Sequence, residues 1–174
     1  MKILILNGSP LQDDLTQDLI NSFTKGAGGA GHEVKECAVG RMNIRGCIGC
    51  QSCQMKDKGK CSQKDDMEQV YPELASADMI VFASPVHFSF ISAQLVSAIS
   101  RFWAQVKPAA EKYALIYLAV EPDAYVGIEG YYKKLVATFE AEDMGIKKVV
   151  SDFTAGDGIP EEVFADLEAF GASI

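Results

Sequence analysis

A doubly wound α/β sheet of five parallel strands in the order 2-1-3-4-5, covered in three layers, is the fold this sequence predicts. Two observations carry that expectation. Short aliphatic or β-branched runs alternate with helical patterns from end to end, the signature of a parallel sheet buried on both faces. The two segments richest in turn and ligand-binding residues, Asn7-Gly8-Ser9-Pro10 and Ser84-Pro85-Val86-His87, follow the first and third runs, whose loops such a sheet gathers at one edge.

Each element follows from its own pattern. Lys2 to Leu6 is an unbroken apolar strand, and the turn after it leads into a helix marked by Leu15, Leu19, Ile20 and Phe23. Glu33 to Val39 is the second strand, in which Cys37 reads as a small buried hydrophobe with no metal role. Asp65 with Glu68 three residues on has the form of a capping box, so a helix begins just after the cysteine-rich segment. Met79 to Ser84 is the third strand. Leu95, Ile99, Phe102 and Val106 then mark a long helix, on which Trp103 is read as core rather than as a subunit contact. Tyr113 to Ala119 is the fourth strand, Ile128, Tyr131, Tyr132, Leu135 and Phe139 mark the next helix, and Lys147 to Asp152 is the fifth strand. Val163, Phe164, Leu167 and Phe170 mark the closing helix.

With 174 residues, 48% of them hydrophobic, the chain is long enough for one well-buried core and short for two domains. One domain over residues 1–174 is expected, with a cysteine-rich loop at about 41–64. A net charge of -8 argues against a nucleic-acid binder, which needs a broad basic face. Small molecules and proteins are the expected partners. The opening apolar run is too short for a signal peptide or a membrane span, so a cytoplasmic protein is expected, where thiols stay reduced.

The segment Asn7 to Thr16 outlines a phosphate cradle. Ser9 and Thr16 offer hydroxyls, Gly8 allows close backbone approach, and the helix that follows offers unpaired N–H groups at its positive end. It matches neither a Walker A loop nor a Gly-x-Gly-x-x-Gly turn, and a plain capped strand-to-helix turn explains it equally well. After the third strand, Pro85 stiffens the turn while His87, Phe88 and Phe90 supply flat faces suited to a planar heteroaromatic ring; Phe88 or Phe90 suits the core as well.

Four of the five cysteines lie within 15 residues: Cys47, Cys50 and Cys53 at successive x2 spacings, then Cys61. Three thiols so spaced can close on one face of an iron-sulfur cube while the fourth returns from a loop, whereas structural zinc favours two separated pairs. Iron-sulfur is the leading ligand, with zinc and metal-free thiols as alternatives. From Arg41 to Lys64 six basic residues stand against Asp57 alone, a local balance of +5 that favours thiolates. A solvated lysine loop or a landing site for an acidic electron carrier gives the same pattern.

Asn7-Gly8-Ser9-Pro10 with Thr16, Cys47 through Cys61, Asp65-Asp66-Met67, Ser84-Pro85-Val86, Ser92-Ala93-Gln94-Leu95 and Arg101 together resemble the flavodoxin-like NAD(P)H-dependent FMN reductases, and within them the iron-sulfur flavoproteins. The resemblance covers about residues 1–105. It implies a flavodoxin-like fold, FMN at the switch point of the sheet, a [4Fe-4S] cluster in the cysteine loop, NAD(P)H as a donor, and a homodimer or homotetramer. Carried over by residue, Ser9, Pro10 and Thr16 would hold the FMN phosphate. Ser84, Pro85, Val86, His87 and Phe88 would border the flavin ring, and Cys47, Cys50, Cys53 and Cys61 would ligate the cluster. No catalytic residue is implied.

The chain departs from the family pattern at several points. Leu11 stands where Arg is usual after Ser-Pro, Asp13 and Asp14 where Asn or Gly is common, His87 for Tyr and Ser89 for Gly. Val96 and Ser100 replace the usual Lys and Asp, and the loop Ala119 to Ala124 lacks the glycine commonly set against the flavin edge. Carboxylates facing a dianionic phosphate would weaken its binding.

Three functions are therefore weighed. The first is an FMN-dependent oxidoreductase passing electrons between flavin and cluster, with a small molecule or protein as the outer donor or acceptor. The second is a cluster-free NAD(P)H-dependent FMN or quinone reductase. The third is a flavin-free binding or sensing module with a zinc or thiol site.

Overall fold

The computed structural model describes residues 1–56, 58–105, 108–123, 126–151 and 158–174. Five parallel strands make the main sheet: β1 (Lys2–Asn7), β2 (Glu33–Cys37), β3 (Met79–His87), β5 (Lys112–Ala119) and β6 (Glu142–Val150), in the spatial order β2-β1-β3-β5-β6. The expected order 2-1-3-4-5 is borne out. A two-residue strand, β4 (Phe90–Ile91), folds back antiparallel on the end of β3, pairing Val86 with Ile91 and His87 with Phe90.

Alternation along the strands explains the layers. In β1, Ile3 and Ile5 face α1 (Leu15–Gly29) and α6 (Glu161–Ser173), packing with Leu19, Phe23 and Leu167. Leu4 and Leu6 face the opposite layer, made by α3 (Met67–Leu74), α4 (Ala93–Ser100) and α5 (Val126–Phe139), where Val70, Leu95 and Tyr132 share one cluster with Phe82 and Tyr113. A strand buried on both faces must be apolar throughout, which is why β1 reads as a continuous run.

Several boundaries differ from expectation. β6 starts at Glu142, five residues earlier than expected, because an edge strand can carry polar residues and its Gly145, at φ +119, absorbs a bulge opposite Tyr113 and Ala114. Its expected end at Asp152 lies outside the described residues, as do Val106, Asp57 and Ala124. β2 ends at Cys37, and Val39–Arg41 forms a 3-10 turn. The long helix expected after β3 is α4 alone, followed by a 3-10 turn over Arg101–Gln105. Tightening to three residues per turn keeps Phe102 and Ala104 in the core and swings Trp103 outward, 57% exposed. Cys37 is half-buried against the core, where burial pushes its thiol pKa up. Among the described residues no helix is long and apolar enough to cross a membrane.

Candidate functional site

The loop after β1 is built from inside by Asn7. Its buried side chain accepts the Ser9 N–H at 2.8 Å and donates to Gln17 at 3.1 Å and Glu36 at 2.9 Å, fixing the turn against α1 and β2. Two glycines permit the packing. A Cβ on Gly8 would lie 2.7 Å from both Leu95 Cβ and Ser92 Oγ, so Gly8 serves close packing on the start of α4 rather than approach by a ligand. A Cβ on Gly40 would lie 2.0 Å from the Ser9 carbonyl oxygen, so only glycine lets the 3-10 turn press on this loop. From that turn Arg41 donates to the Leu11 carbonyl at 2.8 Å.

Asp14 caps α1, accepting the Gln17 N–H at 3.0 Å, and its second oxygen accepts the Ser9 hydroxyl at 2.5 Å. Asp13 is exposed at φ +54, a conformation that Asp tolerates better than most residues and Asn or Gly better still. Thr16 is 1% exposed, and its Oγ1 has no hydrogen-bond partner. Buried hydroxyls without a partner are costly and rare, so this one points to a group the structure does not contain.

The hairpin after β3 forms the facing wall. Ser84 is buried; its hydroxyl donates to the Pro85 carbonyl at 2.8 Å and accepts the Ser92 N–H at 2.9 Å, while Ser92 Oγ caps α4 at the Leu95 N–H. Phe88 and Ser89 sit at φ +50 and +66, so the hairpin turn has the hand of type I′ without the Asn or Gly that relaxes it. Such strain, on the order of 1–3 kcal/mol per residue, is typical of ligand-binding loops. Phe88 is fully exposed at the tip, whereas Phe90 packs on Tyr131 at 5.5 Å between ring centroids.

Between the two loops lies a cleft of about 250 Å³ whose walls include Ser9, Pro10, Thr16, Pro85 and His87, floored by Leu118 of β5. Leu11 and Asp14 also line it. Of the residues expected at a cofactor, these five come together. Ser84 supports the wall from behind, and Val86 and Phe88 lie outside the cleft lining.

The cysteine loop is arranged otherwise. Cys47 and Cys50 are exposed, Cys61 is half-buried, and Cys53 is buried on the single-turn helix α2 (Ser52–Met55). Cys47 is tied by its backbone N–H to Ser100 Oγ at 3.0 Å, and the Cys50 thiol lies 3.3 Å from Ser62 Oγ, a contact that draws its pKa down. Among the described residues no three Cys, His, Asp or Glu side chains gather to hold a metal ion. Among the described residues Arg41 pairs with Glu36, Arg45 with Asp65 and Lys64 with Glu68.

One residue joins both ends of that loop. Arg101, 1% exposed, donates through Nη1 to the Arg45 carbonyl at 2.8 Å and to Asp65 Oδ2 at 2.7 Å. Asp65 also accepts the backbone N–H groups of Arg45 and Met67, each at 3.2 Å. The expected capping box is therefore not formed: Glu68 pairs with Lys64 instead, and Asp65 is drawn to the guanidinium. Burial opposes the Asp65 charge, but the Arg101 bond and the N–H donors outweigh it and hold its pKa below the usual range. Burial likewise opposes the Arg101 charge and is outweighed by Asp65, Tyr71 and Cys61, while the Tyr71 hydroxyl is pushed up to about 12, chiefly by burial.

A model of NADPH-dependent FMN reductases matches residues 1–144. The chain belongs to the NADPH-dependent FMN reductase family. Among relatives of this family member, an iron-sulfur flavoprotein of Methanocaldococcus jannaschii is 32% identical over 101 residues, covering 58% of this chain and 51% of that protein. An iron-sulfur flavoprotein of Archaeoglobus fulgidus is 34% identical over the same length, covering 58% and 48%. The chain thus spans about half the length of these relatives. In fold it resembles an NAD(P)H:quinone oxidoreductase from Methanothermobacter marburgensis, with a TM-score of 0.73 at 17% identity, covering 99% of this chain and 95% of that one.

The residues of this FMN reductase family member fit the phosphate end of the flavin. Thr16 offers the unpartnered buried hydroxyl, and the 15-residue helix α1 adds its positive end. For a cluster the donor set is of the right kind, four thiols in one loop, although the thiols stand apart. Sequence reasoning missed Asn7, Gly40 and the Arg101–Asp65 pair as builders of the site. The available signal was Arg101 itself, a charged residue set among the apolar Leu95, Ile99 and Phe102.

Proposed function

We propose that this chain binds FMN in the cleft between the loops after β1 and β3 and serves as a flavin-dependent oxidoreductase, with a [4Fe-4S] cluster held by Cys47, Cys50, Cys53 and Cys61. The observation that carries the flavin reading is the buried, unpartnered Thr16 hydroxyl in the cleft wall at the start of α1. Bound there, flavin would supply exchange between two-electron donors such as NAD(P)H and one-electron acceptors, and the cluster would relay single electrons. The protein's part is positional. Thr16 and the α1 N–H groups would hold the phosphate, joined by Ser9 if its hydroxyl exchanges Asp14 for the ligand, with Pro10 shaping the loop. Pro85 and His87 would border the ring, Val86 and Phe88 would do so only if the hairpin tip folds over the cleft, and Ser84 fixes the Pro85 carbonyl. Outer partners are a small molecule or protein exchanging electrons, and the assembly is a homodimer or homotetramer.

The names of the relatives and the four-thiol donor set support the cluster. A second reading, a cluster-free FMN or quinone reductase, is favoured by the separation of those thiols. One absorption spectrum of protein purified without oxygen decides between them. Flavin bands with a broad thiolate-to-iron absorption support the first reading, flavin bands alone the second, and failure to bind FMN at high micromolar flavin overturns both.

A further inference from the structure

The cleft wall beside α1 is one proton short for a phosphate dianion. Ser9 Oγ donates its only proton to Asp14 Oδ2 at 2.5 Å and accepts the Leu11 N–H at 3.2 Å, so this hydroxyl has no donor left for a ligand. Asp14 Oδ1 takes the Gln17 N–H at 3.0 Å, and the Asp14 carbonyl takes the Asp18 N–H at 3.2 Å. What stays open is the Thr16 hydroxyl, 1% exposed and without a partner, together with the N–H groups that a helix leaves free in its first turn. Asp14 and Thr16 line the same cleft two residues apart, so a phosphate seated on Thr16 lies beside the Asp14 carboxylate. Among the described residues no Lys, Arg or His pairs with Asp14. The other charged or titratable groups around it are Asp13 in the loop, Asp18 on α1, Glu36 on β2, Arg41 on the 3-10 turn and His87 across the cleft. Of these, Arg41 is engaged by the Leu11 carbonyl and Glu36, and Glu36 accepts from Asn7 and Gln17. An ionised carboxylate and a phosphate dianion are both acceptors only. Side by side they repel unless one proton lies between them. A phosphate monoester loses its second proton near pH 6, so at neutral pH that proton is within reach.

We infer that Asp14 selects the ionisation form of the ligand: the cleft takes its phosphate as the monoanion, the phosphate O–H donating to Asp14 Oδ2 while the released Ser9 hydroxyl turns to a phosphate oxygen. The inference rests on the flavin reading above. The balance is a single proton. A free dianion takes it from solvent on binding, Asp14 stays ionised, and no bond to phosphorus changes. Affinity therefore falls as pH rises above the second phosphate ionisation, where the free ligand must gain a proton to bind.

The test titrates the full chain, freed of flavin, with FMN and with riboflavin, which lacks the phosphate, from about pH 6 to about pH 8. Its readouts are affinity by flavin fluorescence and the phosphorus-31 resonance of bound FMN. Wild type is expected to bind FMN about five- to tenfold more tightly at the low end of that range than at the high end, with riboflavin unchanged. The bound phosphate should titrate at a higher pH than that of free FMN. Asp14→Asn keeps the cap on α1 and supplies an amide donor in place of an acceptor. In that variant the tightening at low pH should vanish, and the bound phosphate should titrate at or below the pH of free FMN. Should Asp14→Asn fail to fold, Asp14→Ser also keeps a capping oxygen, removes the carboxylate and is expected to show the same two losses. A tightening that survives in the Asp14 variant would assign it to His87 and overturn the inference. Equal tightening with riboflavin, or a bound phosphate that titrates with free FMN in wild type, would also overturn it and leave the flavin reading standing. A wild type that binds no FMN at high micromolar flavin overturns the flavin reading and this inference with it.

Discussion

The two loops that flank the candidate site are fixed in opposite ways. The loop after β1 is determined residue by residue: Asn7 shapes it from below, Asp14 holds Ser9 and α1 together, and Gly40 admits the neighbouring turn against its backbone. The cysteine loop is clasped at its ends by Arg101 and Ser100, and its thiols point to different partners in between. The difference teaches that one loop is finished by its own backbone and side-chain hydrogen bonds, whereas thiols that stand apart share no partner among the described residues.

The largest way to break this comparison is at the clasp. Asp65→Ala leaves a buried guanidinium without its carboxylate, and the expected loss is about 3–5 kcal/mol in urea unfolding of metal-free protein. If the loss is near zero, the ends of the cysteine loop are not held as described. In the loop after β1, Thr16→Val removes a hydroxyl that has no hydrogen-bond partner. Stability should be unchanged or slightly higher, while FMN affinity, read by flavin fluorescence, falls by about 1.5–3 kcal/mol, the worth of a hydrogen bond to a charged group. Equal affinity in both proteins would place the phosphate elsewhere.

The carboxylates sharpen the contrast further. Asp65 has a folded pKa below its unfolded value of 3.8, so the unfolded chain binds more protons between the two values. Its contribution is present above about pH 4 and is lost as pH falls through the folded pKa. Urea midpoints measured from pH 6 down to pH 2 should therefore fall, and the fall should be shallower in Asp65→Asn. An equally steep decline in that variant would assign the acid sensitivity to other groups.

Asp14→Asn keeps the cap on α1 but removes negative charge from the cleft and frees the Ser9 hydroxyl. FMN should bind up to about tenfold more tightly, about 1.4 kcal/mol, with a gain that shrinks as salt is raised. Asp13→Asn should change affinity by less than about twofold, since that side chain is exposed and salt screens it. A larger effect from Asp13 than from Asp14 would mean the loop turns over on binding flavin.

Most of this architecture was legible in the chain. The apolar runs, the helical spacings and the two carboxyl-edge motifs predicted the strand order, because a strand buried on two faces has few alternatives to continuous aliphatic residues. Edges and ends were less legible. β6 begins among Glu142 and Asp143, where exposure on an edge removes the apolar signal, and Trp103 left the core when one helix tightened by a fraction of a residue per turn.

The sequence by itself determined the strand order, the place of the loop after β1 and the four-thiol set, since local periodicity and residue chemistry carry these. Only the tertiary structure decided how the pieces are coupled: that Asp14 occupies the Ser9 hydroxyl, that Gly8 serves packing, and that Asp65 leaves its helix cap for Arg101, 36 residues away. The physical reason is that a hydrogen-bond partner far along the chain is chosen by burial. A charged or polar group enclosed by the fold must take whatever partner the packing brings to it, and no local pattern records which one that is.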